Sequence, residues 1–303
     1  MKKIYVLGSI NIDLVIHTPY IPKNGETLTG SDFLINEGGK GANQAVAASK
    51  QEIDTYLIGC LGDDVFSDKI LSTLKNYHVK TDYIQNLEKT NTGTAIIIIE
   101  NSDNRIILDK GANQYVDVKL IDKALLQAQN KDIFISQLEI NLDAVIYGLK
   151  KAKSKNMITI FNPAPAKILD SDIYQYIDYL ILNESECEIL TNICPKYEED
   201  YQKIYDFFMD KGLKNLIITL GKKGAVYLNN QGLIKVKANK VDAIDTTAAG
   251  DTFVGVFASC LCLDKSIKEA LEYSCLCSSL TCLKMGAQQA IPTKKEVIEY
   301  INK

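Results

Sequence analysis

Short apolar runs closed by turn-forming or polar residues recur along the chain, and most are too short for helices. KKIYVLGS, residues 2–9, is β-branched and apolar and stops at a glycine, which predicts a buried strand. IDTYLIG (53–59), DIFIS (132–136), MITIF (157–161), DYLIL (178–182) and NLIITL (215–220) repeat the pattern. Between them lie longer amphipathic or alanine-rich stretches, such as GGKGANQAVAASK (38–50) and VFSDKILSTLKNY (65–77), which read as helices. Alternation of this kind predicts an α/β protein with a mainly parallel central sheet and helices on both of its faces. Two pieces break the rhythm. Residues 14–37 are short alternating segments interrupted by Pro19, Pro22, Gly25 and Gly30. TGTAIIIIE and RIILD, within 92–110, flank Asn101-Ser102-Asp103-Asn104 as a β-hairpin would. These two pieces are expected to pair as a small second sheet beside the main one, within one domain spanning 1–303.

Composition narrows the class. With 303 residues, 46% hydrophobic and 24% charged, the chain has the makings of a substantial core. A formal net charge of −4 without a basic block argues against nucleic-acid binding. No apolar run approaches the ~20 residues of a membrane span. Asn11 and Asp13 cut the apolar start short, so MKKIYVLGSINIDLVIH reads as a buried strand of a cytoplasmic enzyme rather than a signal peptide. The eight cysteines include Cys260/Cys262 and Cys275/Cys277, but both pairs fall in helical sequence. Residues two apart on a helix point roughly 200° apart, so neither pair can aim at one ion. With only His17 and His78, a zinc site or a Ser-His-Asp triad is not indicated.

In open α/β sheets ligands bind beyond the carboxyl ends of the strands, so the polar residues following each strand matter most. DTTAAGD, 245–251, runs into the apolar TFVGVFASCLCL. A helix starting near Ala248 offers free N–H groups and the positive end of its dipole. Ala248, Ala249 and Gly250 leave room for an anion to reach that backbone, and Asp251 in the first turn is placed to accept a hydroxyl proton. Taken alone, Asp245 or Asp251 reads equally well as a helix cap. GGKGAN places glycines before a helix, with Lys40 and Asn43 as donors, yet lacks the Walker A spacing. GSINID is not a dinucleotide fingerprint, because Ile10 and Asp13 stand where glycines are needed. Asp13 is instead a carboxylate after the first strand, able to accept from two vicinal hydroxyls, or a turn aspartate. Asn183 and Glu186 share a helix face and suit a hydrated Mg2+ or a phosphate, while Ser185 and Glu188 make an equally good capping box. Thr219-Leu220-Gly221-Lys222-Lys223-Gly224 alone reads as a hairpin turn.

Together these segments resemble the ribokinase-like sugar kinases, also called the PfkB carbohydrate kinases. GSINIDLV, GGKGANQAVAA, NPAPA (162–166), NESE (183–186), TLGKKG and DTTAAGDTF follow one another in that family's order, over essentially the whole chain. The resemblance implies a ribokinase-like fold with a small β-sheet lid from about 14–37 and 92–110, paired with a second subunit's lid in a homodimer. It also implies ATP-dependent phosphorylation of the ribose 5-hydroxyl. Asn11, Asp13, Gly39, Lys40, Gly41, Ala42, Asn43 and Glu139 would hold ribose, with Asp251 as base. Asn183, Thr219 to Gly224 and Gly250 would serve ATP, with Asn183 and Glu186 organising Mg2+. Asp245, Thr247, Thr281, Lys284 and Gly286 match a monovalent-cation loop that takes K+, mostly through main-chain carbonyls. The family's hydroxyl-bearing cation ligand near the C-terminus falls at Ala290, and Cys275 stands where a polar ring or amide is common. The alternatives are a related kinase for deoxyribose, fructose or a nucleoside, and a sugar-binding regulator that has lost catalysis; a Rossmann oxidoreductase fails on the missing glycines.

Overall fold

The computed structural model describes residues 2–100 and 103–302. Asn101 and Ser102, half of the expected hairpin turn, lie outside the described residues. A nine-stranded sheet forms the centre. Its strands are β1 (Ile4–Leu7), β4 (Thr55–Gly62), β5 (Lys80–Leu87), β8 (Ile133–Ser136), β9 (Ile158–Phe161), β10 (Tyr179–Asn183), β11 (Asn215–Thr219), β12 (Ala225–Asn229) and β13 (Gly232–Val236). They lie in the order β13-β12-β11-β10-β9-β8-β1-β4-β5. All pairings are parallel except β11–β12 and β12–β13, the antiparallel edge made by the hairpin after Thr219. A separate four-stranded sheet holds β2 (Asn11–His17), β3 (Ser31–Gly38), β6 (Gly93–Glu100) and β7 (Asp103–Asp109), ordered β3-β2-β6-β7. The expected second sheet thus forms from the two pieces that broke the alternation.

Apolar side chains cover both faces of the large sheet, as its unbroken apolar strands require. One face packs on α1 (Lys40–Ser49), with two further helices, Ala249–Cys262 and Ile267–Thr281. The opposite face packs on helices that include Leu142–Ser154 and Glu198–Met209. In chain order these are α1, α2 (Ser67–Asn76), α3 (Val118–Leu125), α4 (Leu142–Ser154), α5 (Glu184–Thr191), α6 (Glu198–Met209), α7 (Ala249–Cys262), α8 (Ile267–Thr281) and α9 (Lys294–Ile301). Cys260 and Cys262 on α7, and Cys275 and Cys277 on α8, are buried thiols within the first core. Burial pushes the Cys275 thiol up to about 12, with Glu272 adding to it.

Two glycines fix where α1 lies. A Cβ on Gly41 would come 2.5 Å from the Gly8 carbonyl carbon, so the start of α1 rests directly on the chain leaving β1. A Cβ on Gly255 would meet the Gln44 carbonyl oxygen at 2.4 Å, so α7 touches α1 backbone to side-chain-free backbone. Asp251 lies one helical turn before Gly255 on the same face of α7. The contact therefore sets Asp251 beside Asn43 and Gln44. Gly255→Ala forces these helices apart and is expected to cost ~1–3 kcal/mol by overpacking. The denaturant midpoint measures it, and an unchanged midpoint would mean the helices separate without penalty.

Candidate active site

A cleft of about 920 Å³ opens between the small sheet and the carboxyl ends of the large one. Asn11, Asp13, Gly39, Lys40, Asn43, Glu139 and Asp251 line it together with Asp245, Thr247, Ala248 and Gly286. The expected sugar residues and the loop before α7 thus face one another across a single space. Gly41, Ala42, Ala249, Gly250, Asn183, Glu186, Thr219 to Gly224, Thr281 and Lys284 do not line it. Asn183 and Thr219 are register partners at the ends of β10 and β11, so the nucleotide candidates form a neighbouring rim of the same sheet.

Asp251 is 8% exposed and accepts two amide hydrogen bonds, from Asn43 Nδ2 to Oδ2 and from Gln44 Nε2 to Oδ1, each 3.0 Å long. No side chain caps α7, and Ala248, its N-cap, takes the left-handed conformation at φ 59. That conformation is strained for a residue with a Cβ, and it turns the 245–247 segment sharply into the helix. The Ala249 N–H bonds to the Thr246 carbonyl. This removes Ala249 from the expected set of free donors. The N–H groups of Ala248, Gly250 and Asp251 keep no partner among the described residues. Nothing lies within 4 Å of where a Gly250 Cβ would sit, so the space over this turn is open to a ligand. A helix start with unpaired N–H groups and open space suits an anionic oxygen.

On the opposite wall stands Asp13. It follows β1, as expected, but lies inside β2 rather than in a turn, and pairs across to Asn36 and Ala95. The chain leaves the large sheet at Leu7 and enters the small one at Asn11, so the polar residues that follow β1 become strand residues. Burial pushes the Asp13 carboxyl up to about 7, with Glu139 and Asp251 adding to it and Lys40 opposing. Asn11 is fixed from behind: Asn113 Nδ2 donates to its Oδ1 at 2.7 Å and to the Ile10 carbonyl. Glu139 accepts from Ser9 Oγ at 2.5 Å and from the Lys40 N–H at 3.2 Å. Burial opposes the charge on Lys40, yet Asp251, Glu139, Glu186 and Asp13 together hold its ammonium above the usual range. Asn43 Oδ1 is buried without a partner in the protein, a ready acceptor for a ligand hydroxyl.

Asn183 and Glu186 resolve the ambiguity at α5. They themselves form the capping box, with Asn183 Oδ1 accepting from the Glu186 N–H and Glu186 Oε2 from the Asn183 N–H, both 2.8 Å. Ser185 and Glu188 do not make it. Burial holds Glu186 above the carboxylate range, against the Asn183 hydrogen bond and the charge of Lys40. Gly221–Lys223 is a short 3-10 turn joining β11 to β12, as the hairpin reading expects. Asp245 ties two loops together, accepting from Thr247 N and Oγ1 with Oδ1 and from Gly286 N at 2.9 Å with Oδ2. The Thr281 hydroxyl is spent on Thr252 and the Cys277 carbonyl, and Lys284 pairs with Glu296. Any part these two play toward a cation falls to their main chains. Ala290 is fully buried. Sequence reasoning missed Ser9, Asn113, Gln44 and Gln137, which support the site from behind. Gln44 alone carried a signal, as the neighbour of Asn43 in the glycine-rich helix start.

A sequence model described as pfkB family carbohydrate kinase matches residues 1–294. A ribokinase of Haemophilus influenzae is 38% identical over 302 residues, covering 99% of this chain and 98% of that one. A ribokinase of Schizosaccharomyces pombe is 40% identical over 308 residues, covering 98% and 97%. A deoxyribokinase of Salmonella typhi is 34% identical over 301 residues, covering 99% and 98%. Among solved structures, Arabidopsis thaliana ribokinase complexed with ribose and ATP superposes with a TM-score of 0.92 at 28% identity, covering 100% of both chains.

The raised Asp13 carboxyl makes stability depend on pH with a definite sign. An aspartate unfolds to its ordinary value near ~4, so between there and about 7 the folded chain holds the extra proton. Stability from this group is complete below ~4 and is lost as pH rises through about 7. Asp13→Asn cannot ionise, so its melting temperature relative to wild type should climb from pH 4 to pH 7 and level off above. A constant offset across that range would show that Asp13 ionises freely in the folded chain.

Proposed function

Because the chain belongs to the pfkB family of carbohydrate kinases, we propose that it uses ATP to phosphorylate ribose at its 5-hydroxyl. One observation carries the reading. A carboxylate held by two amides, Asp251, sits in the first turn of an uncapped helix and faces hydroxyl-binding groups across one cleft. Phosphoryl transfer asks a protein mainly for positioning and for donors where negative charge builds up. Asp13, Asn11, Glu139 and Asn43 hold the sugar. Asp251 takes the proton of the 5-hydroxyl as its oxygen attacks, and the N–H groups at the start of α7 receive the transferring phosphoryl oxygens. Asn183, the 219–224 turn and Gly250 serve the nucleotide. The small sheet acts as the lid of a single 1–303 unit, excluding water.

Among the described residues no three His, Cys, Asp or Glu side chains cluster as a metal site. Mg2+ fits as an ion carried largely by the ATP phosphates, as it often is. Glu186, whose Oε2 alone is used in the capping box among the described residues, and Asn183 would hold it, and it would neutralise phosphate charge. K+ fits beside α7, where Asp245 pins the 245–247 loop to Gly286 and where Thr281 and Lys284 offer main chain. The eight free thiols suit a cytoplasmic protein, and among the described residues no helix is long and apolar enough to cross a membrane.

The second reading, a deoxyribose kinase, is favoured by the deoxyribokinase relative. Asp13 argues against it. Ionised, it has only acceptors, and a sugar lacking the 2-hydroxyl leaves it partly unpaired, a loss of roughly 1–3 kcal/mol or about 10- to 100-fold in kcat/KM. ADP release on ribose, 2-deoxyribose, fructose and nucleosides tests both readings. Ribose should lead, K+ added to K+-free buffer should raise the rate, and Asp251→Asn should lower kcat by ~10²–10⁴. No turnover on any sugar would leave the chain a sugar-binding regulator, and equal use of both pentoses would remove Asp13 as the discriminator.

The face of the small sheet turned away from the cleft exposes Phe33, Ile35, Ile96 and Ile107, whereas Leu34 and Ile106 line the cleft. A second copy's lid is the proposed cover. Phe33→Asp with Ile107→Asp should sediment as a monomer where wild type sediments as a dimer; identical sedimentation would argue against lid pairing.

A further inference from the structure

Behind Asp251 runs a chain of buried amides that the sugar and nucleotide assignments leave unused. Gln44 on α1 and Gln137, just past β8, are both fully buried, and Asn162, the first residue of the NPAPA segment after β9, is 9% exposed. Gln137 Nε2 donates to Gln44 Oε1 at 2.6 Å. Gln44 Nε2 donates to Asp251 Oδ1 at 3.0 Å and, more weakly, to Asn162 Oδ1 at 3.4 Å. Asn162 Nδ2 in turn donates to the Ile181 carbonyl. We infer that Gln44 is the positioning residue that orients Asp251, and that Gln137 supports it by satisfying the Gln44 oxygen.

The argument is one of amide polarity. A carboxylate has only acceptors, so the group opposite Oδ1 must be a donor. A free glutamine can present either its N–H2 or its oxygen. Here Asp251 Oδ1 and Asn162 Oδ1, the latter held by its Nδ2 bond to the Ile181 carbonyl, both face the donor end, and the Gln137 N–H2 satisfies the Gln44 oxygen behind it. Reversing Gln44 would set its oxygen against both the carboxylate and the Asn162 oxygen. The arrangement consumes a polar atom, since Gln137 Oε1 is left buried without a partner. A hydrogen bond to the charged form of a carboxylate favours that form. Losing it therefore raises the pH at which the base becomes active. The other charges facing Asp251, Lys40 on α1, Asp13 on β2 and Glu186 on α5, stay in place when Gln44 is changed.

The inference rests on Asp251 being the base, and its test separates the two. The pH profile of kcat is measured for wild type, Gln44→Leu, Gln44→Glu, Gln137→Glu and Asp251→Asn, with KM for ribose alongside. Gln44→Leu should move the acidic limb to higher pH, with kcat lowered at its foot and KM little changed. Gln44→Glu should move it further, because a like charge joins Asp251. Gln137→Glu offers only acceptors to Gln44, so Gln44 must turn its N–H2 away from Asp251 and the limb should move as in the leucine variant. A melting temperature lowered with the limb unmoved in all three would reduce Gln44 to packing and overturn the inference. A wild-type limb in Gln137→Glu alone would overturn the role of Gln137. Normal turnover in Asp251→Asn would instead remove the base itself.

Discussion

The approach of α7 to α1 at Gly255 is the contact on which the site depends. Helices usually pack with axes 8–10 Å apart because side chains intervene. Here one side chain is absent, and the backbone oxygen of Gln44 takes its place. That lets Asp251, on a helix entering late in the chain, reach two amides from residues 43 and 44. The same pair of helices carries opposite jobs. α1 brings Asn43 and Gln44, and α7 brings Asp251 and the open N–H groups. Any change in their separation misaligns both halves of the chemistry together.

Charge is concentrated on the same seam. One ammonium, Lys40, sits in the field of four carboxylates, and Asp13, raised first by its burial, is raised further by two of those carboxylates. A compact cluster of acids with a single cation is unstable toward losing protons. Sugar hydroxyls relieve it without adding charge, since they donate to carboxylates. Phosphate anions would not, and the unpaired backbone N–H groups that suit them lie on the α7 side.

Much of this was legible in the sequence, for identifiable reasons. The buried strands announced themselves because both of their faces are covered and their apolar runs are unbroken. β5 did not, because it is an edge strand with half its residues at the surface, and KTDYIQNL reads as neither pattern. DTTAAGD and GGKGAN were visible because close backbone approach demands small residues in a row. Asp13 was legible as a carboxylate after the first strand, but not as a strand residue, because no local signal says that a chain will leave one sheet and join another within three residues. The polar supports were hidden for a different reason. Gln137, Asn113 and Ser9 act over sequence separations of about a hundred residues, and a single buried amide looks the same in sequence as an exposed one. The capping box at α5 shows the reverse case: the motif type was right and the register was off by two, because Asn183 caps as readily as Ser185.

The direct run from β1 into β2 makes the small sheet a lever arm with its pivot at Ile10. Asn113 clamps that pivot, bonding both the N–H and the carbonyl of Ile10. Strand residues advance by roughly 3.3 Å each, so His17 lies about 20 Å from the pivot and Asp13 about 10 Å. A 10° swing would carry the tip some 3–4 Å while moving Asp13 by only about half as much and Asn11 by well under 1 Å. Asn11 sits beside the fulcrum and His17 at the tip, while the outward apolar residues Ile35, Ile96 and Ile107 lie level with Leu14, midway along the arm. A swing of the small sheet would therefore be large in travel at the far rim of the cleft and small at Asn11.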